Sequence, residues 1–222
     1  MRTSVVIPTY NEAQNITELL KRLKRNLTDY EVIVVDDGSP DGTAELAKSL
    51  NGLYGKIKVI NRGRRLGLAS AVLQGVESAQ GDVIVVMDAD LQHPPEIVPK
   101  LVEEVEKGAD IAIASRYVRG GGIQGWSVTR LIISKVATML ARFFVPQTRK
   151  VKDPLSGFFA ARKSVFKMRI APKGFKLLLE LLRESKDVKV KEVPYVFCER
   201  KAGKSKLNLK EIANYLSLLF FG

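Results

Sequence analysis

Val83-Ile84-Val85-Val86-Met87-Asp88-Ala89-Asp90-Leu91-Gln92-His93-Pro94-Pro95 is the stretch that decides the fold. Its first five residues are all apolar, which suits a strand covered on both faces. It then turns polar at once, so two carboxylates emerge where the strand ends. In open α/β sheets that is where ligands bind. The strand is expected over residues 82–88. Working outward, similar β-branched runs occupy 4–8, 31–36, 56–61 and 110–115. Helical patterns fall between them, at about 13–26, 41–50, 68–79 and 95–107. This alternation predicts right-handed βαβ units and a mostly parallel sheet sandwiched by helices.

Beyond residue 115 the pattern changes. Gly120-Gly121-Gly122 reads as a flexible loop. Residues 127–145 read as a helix, apolar at Leu131, Ile132, Val136, Met139, Leu140, Phe143 and Phe144, with Arg130, Lys135 and Arg142 among them. Charge interrupts it too often for a membrane span. It suits a helix lying on a bilayer, its basic side chains reaching phosphates. A strand over 157–161, a helix near 174–185, a strand over 188–197, a basic loop over 200–206 and an apolar helix from 208 follow. With no repeat and no linker, residues 1–222 are expected to form one domain, with 116–222 as a C-terminal elaboration.

Composition narrows the chemistry. A single cysteine, Cys198, excludes a disulfide framework and a thiolate zinc site. A single histidine, His93, argues against a serine–histidine–aspartate triad. The first residues run straight into a strand, without a signal-peptide pattern, which predicts a cytoplasmic protein. The net charge of +12 calls for an acidic partner. Eight lysines and arginines and no acid lie between Ile111 and Lys152. The aromatics are not interleaved with them as stacking platforms would be, which argues against nucleic acid.

Four motifs carry candidate chemistry. Asp88 and Asp90, with small Ala89 between them and Gln92 beyond, offer hard oxygen ligands suited to Mg²⁺ or Mn²⁺. Either aspartate could instead cap the helix starting near Pro95. In Pro8-Thr9-Tyr10-Asn11-Glu12, Tyr10 could stack on a base and Glu12 accept hydrogen bonds from it, or Asn11 and Glu12 could simply start a helix. In Asp36-Asp37-Gly38-Ser39-Pro40-Asp41-Gly42, Asp41 suits a helix cap. The adjacent pair Asp36-Asp37 needs a compensating donor or cation, which favours a binding site. The loop Arg200-Lys201-Ala202-Gly203-Lys204-Ser205-Lys206 is not a phosphate loop, because Cys198 stands where that motif needs glycine. It reads as a cationic clasp for a diphosphate, or as a solvated charged loop.

Taken with Ala114-Ser115-Arg116-Tyr117 and Asp153-Pro154-Leu155-Ser156-Gly157, these stretches resemble the family 2, GT-A-fold glycosyltransferases. The match is closest to the dolichol-phosphate mannose synthases and runs along nearly the whole chain in order. The resemblance implies a mannosyl donor, GDP-mannose, and a dolichyl (polyprenyl) phosphate acceptor, used at the cytoplasmic face of an anionic membrane. A UDP-glucose-dependent polyprenyl-phosphate glucosyltransferase is the alternative. It further implies that residues 1–115 bind the nucleotide sugar and 116–222 the acceptor and membrane. Pro8, Tyr10, Glu12, Val35 and Asp37 would form the guanosine site. Asp88, Ala89, Asp90 and Gln92 would hold metal and diphosphate. Arg116, Arg200 and Lys206 would contact phosphates, and Arg130 and Ser134 the acceptor phosphate. Inverting relatives that glycosylate hydroxyls carry an aspartate base. The comparable region here, 149–157, offers only Asp153, which suits a phosphate nucleophile that is already ionised.

Overall fold

A computed structural model describes residues 1–167, 176–184 and 187–198. In chain order the strands are β1 (Thr3–Thr9), β2 (Tyr30–Asp36), β3 (Lys56–Asn61), β4 (Val83–Val86), β5 (Ile111–Ser115), β6 (Gly122–Ile123), β7 (Phe159–Arg162), β8 (Val190–Pro194) and β9 (Val196–Phe197). The α-helices are α1 (Ala13–Asn26), α2 (Thr43–Ser49), α3 (Leu68–Ser78), α4 (Val98–Glu106), α5 (Val128–Phe144) and α6 (Leu177–Glu184). The main sheet has the order β3-β2-β1-β4-β7-β5-β8. Every neighbouring pair is parallel except those of β7, which runs antiparallel to β4 and β5.

The period-2 alternation of each strand splits the core in two. Val5, Ile7, Val32, Val34 and Val85 face α1 and α4, meeting Ile16, Leu19, Leu20, Leu23, Leu101 and Val105. Val6, Ile33, Val35, Ile84 and Val86 face α3 and α6, meeting Val72, Val76, Leu178, Leu181 and Leu182. A strand buried on both sides has no polar face, which is why these runs are apolar throughout. Gly75 lets α3 sit close to the sheet: a Cβ there would collide with Val6 Cγ1 and lie 3.1 Å from Val35 Cγ2.

Three local expectations change. The triglycine is not a flexible loop. Gly121 N donates to Val118 O in a tight turn, a Cβ on Gly121 would meet Arg116 O at 2.9 Å, and Gly122 already belongs to β6. The glycines serve close approach rather than looseness. The run 188–197 is two strands, because the chain leaves the main sheet after Pro194 and β9 pairs with β6 instead. Tyr195 N still reaches Ser115 O, and its ring turns into the core. Strand β4 is shorter than 82–88, which places Asp88 clear of the sheet. The expected basic loop over 200–206 and the helix from 208 lie outside the described residues.

Candidate functional site

Strands β1, β2 and β4 end side by side, and their three polar motifs meet at one rim of the sheet. The first two are stitched together. Asn11 N donates to Ser39 Oγ at 2.9 Å, Glu12 N to Thr43 Oγ1 at 2.9 Å and Ala13 N to Asp41 Oδ2 at 3.1 Å. The second motif thus satisfies N–H groups at the start of α1 that a helix cannot satisfy itself. Glu12 is the N-cap position of α1, and its carboxylate accepts from Asn15 Nδ2 at 2.8 Å. The helix-start reading of Asn11 and Glu12 is therefore realised.

The three aspartates of the second motif divide their work. Asp36 is fully buried and accepts from Thr9 Oγ1, at 2.8 Å, and from the backbone and hydroxyl of Ser39. Asp41 is lowered in pKa. Burial raises it, but hydrogen bonds from Thr43 and Ala13 outweigh that. Asp37 Oδ2 accepts from Leu66 N and Gly67 N at 3.2 and 3.1 Å, and Arg62 Nη1 lies 3.1 Å from its Oδ1. The repulsion expected between Asp36 and Asp37 is thus relieved by the protein's own donors, so adjacency by itself argued too much. Asp37 Oδ1 is buried without a hydrogen-bond partner, as is Arg62 Nε. Of the three aspartates, Asp37 is the one with an oxygen that carries an ion pair, to Arg62, but no hydrogen bond.

Tyr10 carries Arg65 on its ring, with the guanidinium carbon 4.3 Å from the centroid. Arg65 was not singled out from sequence, although the run Arg62-Gly63-Arg64-Arg65 follows β3 at the same rim. Pro8 pairs with Val35 across β1 and β2. Val35 is closed in the core, so any ligand contact there is through its main chain.

At the third motif the capping alternative is not realised. The short 3₁₀ turn Pro95–Ile97 has Pro94 at its N-cap and no side-chain cap. Asp90 is buried and its Oδ1 accepts from Gln92 N at 3.1 Å, bending the chain at Leu91, whose φ is +63°. The Asp88 side chain is 40% exposed, beside His93 Nδ1 at 3.8 Å. His93 Nδ1 accepts the Asp88 backbone N–H at 3.1 Å, which requires the neutral ring. Burial holds its pKa down at about 4, so it is neutral near pH 7. The ring stacks on Phe158 with centroids 5.1 Å apart and meets Tyr195 and Phe197 edge-on. Gln92 is tied to the end of the described chain. Its Nε2 donates to Cys198 O and its carbonyl accepts from Cys198 N, both at 3.1 Å.

Among the described residues no three histidine, cysteine, aspartate or glutamate side chains gather into a metal cage. Two carboxylates and an amide in one bent turn fit a different kind of site. They suit a hard cation that takes the rest of its oxygens from substrate phosphates and water.

Next to this turn lies an ion pair that the sequence did not disclose. Arg116 Nε and Nη2 donate to Asp153 at 2.8 and 2.7 Å, and Arg116 N adds a third bond at 3.0 Å. Asp153 is fully buried and the Arg116 side chain 9% exposed. Burial pulls the Arg116 pKa down, but its hydrogen bonds to Asp153 outweigh that and hold it above the ordinary arginine value. Trp126 meets two guanidiniums, with Arg130 4.1 Å and Arg116 5.6 Å from its ring centroid. Ser134 is held by Tyr117, whose hydroxyl donates to Ser134 Oγ at 2.8 Å. Arg116, Arg130 and Ser134 are therefore linked through Tyr117 and Trp126. Arg200 and Lys206 lie outside the described residues.

Comparison with known proteins identifies the family and the fold. The sequence model of Glycosyl transferase family 2 matches residues 4–175. A dolichol-phosphate mannosyltransferase of Pyrococcus furiosus is 51% identical over 223 residues, covering 99% of this chain and 63% of its own length. One from Saccharomyces cerevisiae is 40% identical over 231 residues, covering 97% of this chain and 85% of its own. The chain thus spans less than two thirds of the first relative. A crystal structure of a mycobacterial protein has a TM-score of 0.70 at 24% identity, covering 97% of this chain and 74% of that one. Glucosyl-3-phosphoglycerate synthase from Mycobacterium tuberculosis, solved with Mn²⁺, UDP-glucose and phosphoglyceric acid, has a TM-score of 0.66 at 22% identity. It covers 98% of this chain and 79% of its own. At these identities the solved structures establish a shared fold.

Proposed function

The chain belongs to glycosyl transferase family 2, and from that premise we propose that it transfers mannose from GDP-mannose to a dolichyl (polyprenyl) phosphate with inversion. The observation that best supports the acceptor is the state of Asp153. It is the carboxylate in the region where a base would stand, and it is buried and committed to Arg116 by three hydrogen bonds. A nucleophile that needs no deprotonation suits such a site, and a phosphate monoester is already ionised near pH 7. The name shared by the relatives supports the same acceptor.

In this reading Asp88, Asp90 and Gln92 hold Mg²⁺ or Mn²⁺ on the donor's diphosphate, with Ala89 permitting close approach. When bound, the cation neutralises the diphosphate and makes it a better leaving group. Pro8, Tyr10, Glu12, the Val35 main chain and Asp37 form the guanosine site, with Asp37 Oδ1, ion-paired to Arg62 but carrying no hydrogen bond, accepting from the base. Arg116, Arg200 and Lys206 offset phosphate charge, and Arg130 and Ser134 hold the acceptor phosphate. An acceptor phosphate oxygen attacks the anomeric carbon opposite the diphosphate. The bond from that carbon to the diphosphate oxygen breaks, its electron pair leaves with GDP, and the configuration inverts.

Helix α5 would bring the site to the cytoplasmic face of an anionic membrane. Val128, Ile132, Val136, Met139 and Phe143 form an exposed stripe along it, against the ordinary tendency to bury such residues. No helix among the described residues is long and apolar enough to cross a membrane.

Radiolabelled GDP-mannose, UDP-glucose and GDP-glucose, each offered with a polyprenyl phosphate and Mg²⁺ or Mn²⁺, test the proposal. Label should enter the lipid fraction from GDP-mannose. Transfer from UDP-glucose alone would replace the donor, and transfer to a neutral polyprenol as readily as to its phosphate would sink the acceptor.

A further inference from the structure

We infer that the chain carries a second anion site, separate from the acceptor-phosphate residues, that takes the phosphodiester headgroup of an anionic bilayer phospholipid. A cavity of about 740 Å³ lies between α5 and residues 149–152. Four cations line it: Lys135, Arg142, Arg149 and Lys152. Neither Arg130 nor Ser134 does. Tyr117 joins the two sites, lining the cavity and donating its hydroxyl to Ser134.

The charge there is uncompensated by the lining, in which no carboxylate appears among the described residues. The two acids beside residues 149–152 are otherwise engaged: Asp153 is paired with Arg116, and the two oxygens of Glu192 accept the backbone N–H groups of Lys152 and Asp153 at 2.9 and 3.0 Å. Arg142 braces the wall, with Nε and Nη2 donating to Arg149 O at 3.2 and 2.8 Å. Lys135 and Lys152 are exposed, and among the described residues their side chains enter no hydrogen bond or ion pair. Thr138, also in the wall, has a buried hydroxyl without a hydrogen-bond partner. Cations gathered around a cavity without acids call for an anion.

The apolar part of the lining selects its source. Met139 and Phe143 are 62% and 73% exposed, and both belong to the outward stripe of α5. A free phosphate needs no such wall. An amphiphile does: its headgroup meets the four cations while its chains follow the stripe. The site depends on the interfacial placement of α5 proposed above but on neither the donor nor the sugar, so binding in the absence of both can test it.

The experiment is sedimentation of the full chain with vesicles of neutral phosphatidylcholine, or of phosphatidylcholine containing phosphatidylglycerol, without nucleotide. Lys135→Gln/Lys152→Gln is compared with Lys48→Gln/Lys58→Gln, an equal charge loss at exposed positions on α2 and β3. A cation at an anionic surface contributes roughly five-fold in partitioning. The cavity pair should therefore lose about 25-fold in affinity for anionic vesicles and little for neutral ones, and the control pair only a few-fold. Equal losses in the two pairs would reduce the effect to net charge and overturn the site. Abolition of the anionic preference by excess inorganic phosphate at matched ionic strength would overturn the lipid assignment. Binding to neutral vesicles with no anionic preference would overturn this site alone and leave the interfacial reading standing. Binding to neither vesicle would overturn both.

Discussion

Replacing Asp153 by asparagine tests the chemistry argued for the site. The side chain is fully buried and accepts three hydrogen bonds from Arg116, two from the guanidinium and one from its backbone. Asparagine keeps the shape and one acceptor oxygen. It removes the charge and turns an amide N–H₂ toward a guanidinium that cannot accept from it. The Arg116 charge, in a side chain 9% exposed, is then left without its counter-ion. Breaking a buried pair from one side typically costs about 3–5 kcal/mol. A double replacement, Arg116→Met/Asp153→Leu, removes both charges and should recover most of that stability, since apolar substitutes for a buried pair are often nearly neutral. Urea unfolding of wild type, Arg116→Met, Asp153→Leu and the double variant gives the cycle, with Asp153→Asn measured beside them. Stability unchanged in Asp153→Asn would refute the claim that the pair is structural. If the variant kept its stability yet lost transfer, Asp153 would be a base after all.

Other consequences follow from the same contacts. Tyr117→Phe removes the donor to Ser134 and should cost about 0.5–1.5 kcal/mol, the usual net value of one hydrogen bond. It should also raise KM for the lipid phosphate while leaving KM for the donor in place. Gly75→Ala should destabilise by roughly 1–3 kcal/mol through overpacking against Val6, despite alanine's better helix propensity. Because burial depresses the His93 pKa to about 4 from 6.5, the unfolded chain takes up that proton first as pH falls. The contribution is complete above pH 6.5 and is lost toward pH 4, up to about 3 kcal/mol. Unfolding of wild type and His93→Asn at pH 7 and pH 4.5 should show the gap between them narrowing at the lower pH.

The sheet was legible because its chemistry is local. Residues 83–87 and the runs in β1 and β2 are apolar at nearly every position, which only a strand covered on both faces requires. The polar motifs were legible for the complementary reason, since each begins where its strand ends. The antiparallel direction of β7 was not readable, because a short strand like Phe159–Arg162 carries no mark of its neighbours. Pairings distant in sequence were hidden as well. Arg116 and Asp153, Tyr117 and Ser134, and Asp37 and Arg62 meet only once the chain folds. Asp36-Asp37 illustrates the cost: read alone it called for a compensating donor or cation and so favoured a binding site, whereas Thr9, Ser39 and Arg62 compensate from within. Trp126 is the only tryptophan. Its approach to Arg130 and Arg116 was not read from the sequence.

The proposed activity rests on the turn at Asp88-Ala89-Asp90 holding a divalent cation on a nucleotide diphosphate. Calorimetric titration of GDP into the wild type and Asp90→Ala, each with Mn²⁺ and with excess chelator, tests it most directly. The wild type should bind GDP tightly only with Mn²⁺, and Asp90→Ala should lose about 100-fold or more, at least the cost of disturbing a metal's outer shell. With chelator the two proteins should bind GDP equally weakly. Mn²⁺-dependent GDP binding that survives intact in Asp90→Ala, with the fold unchanged, would contradict it.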